Sequence, residues 1–297
     1  MNLDESAVGR LLRMEEVVPA MERALADFSS GKVVQPVRTM LPVTEHQGFL
    51  GLMPAYTGSA LGTKLVAFYP RNTDVPTHHA TILLFRPETG EPLVSMDGRL
   101  ITEVRTAAVS AVATDRLAKP DASVLAIIGS GVQARSHLEA LRLVREFREV
   151  RVWSPRRADA FAQEHAVDAA ASAEEAVRGA DVVVTATTSP TSVLFGEWLS
   201  PGAHVNALGA PRPDWRELDD EVLRRAKVYV DSREAALKES GDVIAAGEVL
   251  AEIGEVVSGA EQGRRSSDEV TLFKSLGLAV EDVATAELVY RKALSGA

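Results

Sequence analysis

The chain has 297 residues, room for two domains of ordinary size, and its hydrophobic (46%) and charged (25%) fractions suit a globular protein with a full core. Lys and Arg number 32 against 42 Asp and Glu, and the formal net charge of −10 argues against nucleic-acid binding, which needs a basic face. There is no cysteine, which removes disulfides, thiolate nucleophiles, iron–sulfur ligation and cysteine-based zinc sites; with no apolar run near about 18 residues and no secretion signal in MNLDESAVGRLLRMEEV, the expected location is the cytoplasm and no membrane contact is expected.

In chain order, Val17, Met21, Ala24, Leu25 and Phe28 share one helical stripe, so a helix is expected over about 14–28, stopped at Gly31. Residues 33–100 change character. VVQPVRTMLPV, GFLGLMPAYT, TKLVAFYP and ATILLFRP are short β-rich runs divided by Gly, Pro, Asn and Thr, and read as an antiparallel or mixed sheet. Glu88–Pro92 (ETGEP) is a hairpin turn. ITEVRTAAVSAVATDRL, at 101–117, is Ala-rich and helical by propensity. After Lys119-Pro120-Asp121 strands and helices alternate: SVLAIIG, EVRVW, DVVVTAT, AHVNALG and KVYVD are strands, VQARSHLEALRLVREF and RADAFAQEH are helices, and Ser172 with Glu175 caps another. Near-continuous apolar strands between helices specify a parallel sheet buried on both faces. LFKSLGLAVEDVATAELVYRKAL reads as a terminal helix with Val280, Val283, Ala284, Glu287 and Leu288 near its core stripe, returning to the first domain or bridging the two.

The strongest local signal is Gly129-Ser130-Gly131-Val132-Gln133-Ala134, a G-x-G-x-x-A that follows a strand and opens a helix. There the first Gly makes the tight turn, the second admits a pyrophosphate, and Ala134 lets helix and sheet approach. The second strand ends in Ser154-Pro155-Arg156-Arg157, with no carboxylate to hold a ribose 2′-hydroxyl. A hydroxyl and two guanidiniums suit a 2′-phosphate, which favours NADPH over NADH. Arg38, Lys64 and Arg105 each stand among apolar or small residues, where an unpaired cation is expensive. Three such cations would suit a small carboxylate, although each also suits a salt bridge, and spacing alone does not bring them together. His78 and His79 alternate on a strand and face opposite ways, the other histidines show no ligand spacing, and no metal is expected. No G-x-S-x-G elbow is present.

Taken together, VVQPVRTMLPVT, GLMPAYT, HATILLF, MDGRLIT, RTAAVSA, GSGVQARSH, LFGEWLSPGAHVNALGA, RPDWRELDDE and LFKSLGLAVED resemble the ornithine cyclodeaminase/mu-crystallin family over nearly the whole length, and its mu-crystallin branch most closely. The resemblance implies a homodimer whose first domain, 1–118 plus 276–297, builds the interface and most of the substrate pocket, with an inserted Rossmann-type domain over 119–275. It implies an NADPH-dependent ketimine reductase. Substrate-carboxylate contacts fall on Arg38, Lys64 and Arg105. Cofactor contacts fall on Thr77, His78, Gly131 to Gln133, the Ser154–Arg157 turn, Thr187, Leu208 and Lys274, and Glu239 faces the ligand. The candidate sources of the proton are Lys64, then Glu239 as runner-up, and a substrate already protonated in solution as the third. The family's cyclodeaminases carry an Asp in G-(G/A)-D-x-P; Leu208-Gly209-Ala210-Pro211-Arg212-Pro213 has proline there, which turns the expectation from cyclodeaminase to reductase. A cyclodeaminase, an amino-acid dehydrogenase, and a non-catalytic protein holding NADPH and a small acid are the alternatives.

Overall fold

Asp4 caps the first helix with its carboxylate, which accepts the Ala7 N–H at 2.8 Å. The elements that follow are those of a computed structural model describing residues 1–296, in which the chain divides into two compact units: Met1–Arg105 with the chain from Gly277 onward, and Thr106–Leu276. The first unit opens with β1 (Asn2–Leu3), α1 (Glu5–Leu11) and α2 (Met14–Ser29), which buries Met14, Val17, Met21 and Leu25. Strands β2 (Thr39–Val43), β3 (Gly48–Tyr56), β4 (Leu61–Phe68), β5 (His78–Phe85) and β6 (Pro92–Asp97) form an antiparallel meander, and β1 joins β6 in parallel to give the order β1-β6-β5-β4-β3-β2. The hairpin at 88–92 forms as its residues require: Gly90 has φ +73°, and the Arg86 N–H donates to the Glu91 carbonyl at 2.8 Å. The register sets Met53, Lys64, Ile82 and Met96 in one row across β3, β4, β5 and β6, on the buried face. Leu41, Leu50, Leu52 and Leu65 point the other way, and Leu41 and Leu52 are exposed.

Helix α3 (Arg99–Leu117) follows, and the unit boundary falls inside it at Arg105/Thr106, not at the Lys119-Pro120 break. An Ala-rich helix carries no composition break at which a boundary shows. The second unit contains β7 (Val124–Ile128), α4 (Val132–Leu141), β8 (Glu149–Trp153), α5 (Ala158–His165), β9 (Asp168–Ala169), α6 (Ala173–Val177), β10 (Val182–Thr185), β11 (His204–Ala207), α7 (Asp220–Arg225), β12 (Ala226–Val230), α8 (Arg233–Glu239), α9 (Gly241–Ala246), β13 (Ala251–Glu252), α10 (Ile253–Ser258) and β14 (Val270–Lys274). All eight strands run parallel in the order β9-β8-β7-β10-β11-β14-β12-β13. Strands β7, β10, β11 and β14 are buried along their length, so this is an α/β unit with a Rossmann-type parallel sheet. The strand order reverses between β7 and β10, the position at which such sheets hold dinucleotides.

Two expectations change. The 132–147 helix ends at Leu141. The terminal segment is not one helix: Val270–Lys274 is a strand between β11 and β12, Gly277 breaks the chain with φ +82°, and α11 (Ala279–Ser295) starts after it. The run VTLFK has the β-branched and aromatic content of a strand, and its period cannot be told from a buried helix over so few residues. In α11 the buried side chains include Val280, Glu281, Asp282, Val283 and Ala286, whereas Glu287 and Leu288 of the expected stripe are only partly covered. Helix α11 lies against α2, β3 and β4 of its own unit. Among the described residues no helix is long and apolar enough to cross a membrane.

Candidate active site

Lys64 and Arg105 come together in the first unit. Lys64 points from the centre of β4 and is 2% exposed; its ammonium lies 2.7 Å from Asp282 and 3.5 Å from the Thr102 hydroxyl. Arg105, 4% exposed, donates from Nε to Asp282 at 3.0 Å and from a terminal nitrogen to Glu281 at 2.6 Å. The four groups form a charge-balanced cluster, two cations on two carboxylates, with Asp282 shared by both cations. Its seating depends on Gly277, where a Cβ would stand 2.5–2.9 Å from the Arg105 guanidinium. Glu281 and Asp282 sit in the first turn of α11, where the helix dipole favours anions. Burial pulls the Lys64 ammonium down to about 8, against the attraction of Asp282 and with the help of Arg105. That places a buried proton donor near neutral pH.

Arg38 is half-buried and immediately precedes β2, whose first residue Thr39 pairs with Leu52; the next residue of β3, Met53, is the partner of Lys64. The ladder thus leads Arg38 toward the Lys64 row. Thr77 stands before β5, and its hydroxyl lies 3.2 Å from His78 Nδ1. The His78 ring packs on Phe68 with centroids 4.3 Å apart. Desolvation, then the Lys64 charge and then His79, lower its pKa. The β5 alternation puts His78 on the Lys64 face and His79 on the opposite one.

In the second unit Gly129 has φ +123°, and a side chain there would run into the Ala186 carbonyl. Gly131 is the N-cap of α4 with no capping side chain, Val132 is exposed, and a Cβ at Gly131 would meet open space. Gln133 carries a buried Oε1 with no hydrogen-bond partner. An uncapped helix start and free space over its second glycine fit a phosphate-bearing dinucleotide, which this turn would receive on its backbone N–H groups. Ser154, at the end of β8, hydrogen-bonds Ser130 (2.8 Å) and caps the Arg157 N–H (3.2 Å), while Arg156 and Arg157 are exposed. These side chains fit a 2′-phosphate.

Thr187 follows β10 and Leu208 follows β11; both are half-buried at the C-terminal ends of the strands. Lys274 closes β14. Its ammonium is fully buried, 2.8 Å from Asp242 and donating to the Gly209 carbonyl, so it acts on the 208–211 turn from inside. Glu239 closes α8 in the second unit and is half-buried. The buried carboxylates Glu217, Asp242, Glu281 and Asp282 escape sequence reasoning. For Glu281 and Asp282 the available signal is an acidic pair in the otherwise apolar LGLAVEDVA.

The match to known proteins agrees with this arrangement of an α/β oxidoreductase. The ornithine cyclodeaminase/mu-crystallin family model matches residues 1–297, and the chain belongs to that family. It is 54% identical over 294 residues to the ketimine reductase mu-crystallin of Macropus fuliginosus, covering 94% of this chain and 93% of the relative. Among solved structures it resembles the Δ1-pyrroline-2-carboxylate reductase of Thermococcus litoralis in complex with NADH and L-proline (41% identity, TM-score 0.95, covering 100% of this chain and 98% of that one). It also resembles an archaeal alanine dehydrogenase dimer with bound NAD (38% identity, TM-score 0.95, 100% and 96%).

Proposed function

We propose that this protein reduces small imino acids, compounds with a carboxylate next to a C=N bond such as Δ1-pyrroline-2-carboxylate and Δ1-piperideine-2-carboxylate, to the corresponding amino acids with NADPH. The observation that carries the reading is the buried Lys64–Arg105 pair, held in place by Asp282 and Glu281. A protonated imino acid is a zwitterion, and it adds no net charge to a cluster of two cations and two carboxylates. Arg38 and Arg105 orient the carboxylate, which fixes the imine carbon and supplies proximity. Lys64 donates or stabilises the proton on the imine nitrogen, with Glu239 as second candidate. Gly129 to Gln133 and the Ser154, Arg156 and Arg157 side chains hold the phosphates of the cofactor, and Thr77, His78, Thr187 and Leu208 border it. When bound, the nicotinamide supplies the hydride.

The relative from T. litoralis holds NADH; in this chain the absence of a carboxylate at Ser154–Arg157 favours the 2′-phosphate form. Cyclodeamination is disfavoured because Pro211 brings no carboxylate and Asp214, the nearest in sequence, is exposed and paired with Arg212 at 3.0 Å. The exposed leucines of the open sheet face and the dimeric archaeal neighbour support a homodimer built on the first unit. Four parallel assays test the reading: NADPH oxidation with a panel of ketimines, the same with NADH, NAD reduction by alanine, and ammonia release from ornithine. Ketimine-dependent oxidation with NADPH ahead of NADH is expected. Activity in only the alanine or ornithine assay contradicts it, and tight NADPH binding without turnover points to the binding-protein alternative.

A further inference from the structure

Glu217 is fully buried, and none of the roles above uses it. Its Oε1 accepts the Thr187 N–H (3.1 Å) and the Thr187 hydroxyl (2.5 Å); its Oε2 accepts the Thr185 hydroxyl (3.0 Å) and the Gly209 N–H (2.7 Å). One carboxylate therefore ties the chain leaving β10 to the chain leaving β11. Asp242, also fully buried, anchors the carboxylate's own backbone: its Oδ1 accepts the N–H groups of Glu217 and Leu218, both at 3.1 Å. Its Oδ2 pairs with Lys274, whose ammonium also holds the Gly209 carbonyl. The peptide groups on both sides of Gly209 are thus pinned. Gly209 has no alternative residue, because a Cβ there would enter the Glu217 carboxylate. The next residue, Ala210, is buried with φ +51°, a left-handed conformation that a non-glycine residue keeps only when its surroundings enforce it.

Both tied segments lie at the C-terminal ends of strands on the far side of the topological switch from the G-x-G-x-x-A turn. That turn serves the pyrophosphate and β8 the adenosine ribose, so the half-sheet beyond the switch is left for the second mononucleotide. We propose that Glu217, seated by Asp242 and Lys274, is a positioning residue for the nicotinamide end of the cofactor, holding Thr187 and the 208–211 turn at a fixed separation. The proposal rests on the reading of the second unit as a dinucleotide site. Substituting glutamine replaces one acceptor oxygen with an NH2 group, which sets a donor against the Thr187 or the Gly209 N–H and frees one segment.

The test is isothermal titration of the full-length protein with NADPH and with 2′-phospho-ADP-ribose, which is the same molecule without its nicotinamide. For Glu217→Gln the NADPH dissociation constant rises about tenfold, and that of 2′-phospho-ADP-ribose stays within twofold of wild type. Thr185→Val is the second variant. It removes one hydrogen bond to Glu217 from a fully buried strand residue at nearly constant volume, and it weakens NADPH about threefold with the same selectivity. Unchanged NADPH affinity in a folded variant, or equal weakening of both ligands, overturns the proposal and leaves the dinucleotide reading standing. If the wild-type protein binds neither of these ligands nor NADH, the dinucleotide reading falls and the proposal falls with it.

Discussion

Lys64 is legible in the sequence as a cation among apolar residues, and so is Arg105; what sequence cannot supply is their partner. Asp282 lies 177 positions from Arg105, on a helix whose acidic pair looks like ordinary N-terminal decoration until it is found fully buried. The cluster gives two expectations. Lys64→Met should lower kcat by about 10²- to 10⁴-fold, the range of a lost general acid, measured with saturating imine and NADPH; a change in KM alone would remove Lys64 from the proton role. Because the Lys64 ammonium titrates near 8, turnover should fall as pH rises above about 8. Asp282 raises that value by attraction, whereas Arg105 lowers it, and Glu281 also raises it. Asp282→Asn should therefore move the alkaline limb of the kcat profile to lower pH, and an unmoved limb would separate Asp282 from the titration. The same variant leaves two buried cations short of charge, so a stability loss of about 3–5 kcal/mol in urea should accompany it.

At the scale of elements, the strand, the glycine turn and the start of the helix at Val124–Ala134 are legible, because their requirements are local: glycine where φ is positive, a small residue where helix meets sheet. Gly129→Ala should abolish NADPH binding and destabilise the fold, since the new methyl meets the Ala186 carbonyl in a left-handed backbone; retained NADPH affinity in calorimetry would contradict the assignment. The strand at Val270–Lys274 was not legible, because its partners β11 and β12 are remote in sequence and a short buried run has no distinguishing period. Two elements carry a buried neutral histidine. His137 of α4 lies 2.7 Å from the Gln133 carbonyl and 3.0 Å from the Ser110 hydroxyl, and burial lowers it to about 4; His204 of β11 is lowered to about 3. As pH falls below about 6.5 the unfolded chain takes up these protons and the folded one does not until about 4 at His137 and about 3 at His204. Stability is therefore complete above about 6.5 and is lost on acidification from there to about 4 for His137 and about 3 for His204, by up to about 1.4 kcal/mol per pH unit for each histidine. Urea midpoints at pH 7 and pH 5 should show the fall, with a shallower slope for His137→Gln; equal slopes would assign the acid sensitivity to other groups.

For the whole molecule, the net charge of −10 conceals where the cations are used. The second unit presents the exposed guanidiniums of Arg156 and Arg157, and the first buries a lysine and an arginine on carboxylates. The open sheet face with Leu41 and Leu52 predicts a dimer in light scattering, converted to monomer by Leu52→Glu; a monomeric wild-type protein would refute that interface. The central claim is that the buried cations select an imine by its carboxylate and present it for reduction. It is tested most directly by NADPH oxidation at 340 nm with Δ1-pyrroline-2-carboxylate and with Δ1-pyrroline, the same ring without the carboxylate. The account predicts brisk oxidation with the first and a kcat/KM at least about a thousandfold lower with the second, roughly 4 kcal/mol of lost orientation. Comparable rates with the two rings, or no oxidation with either, would contradict it.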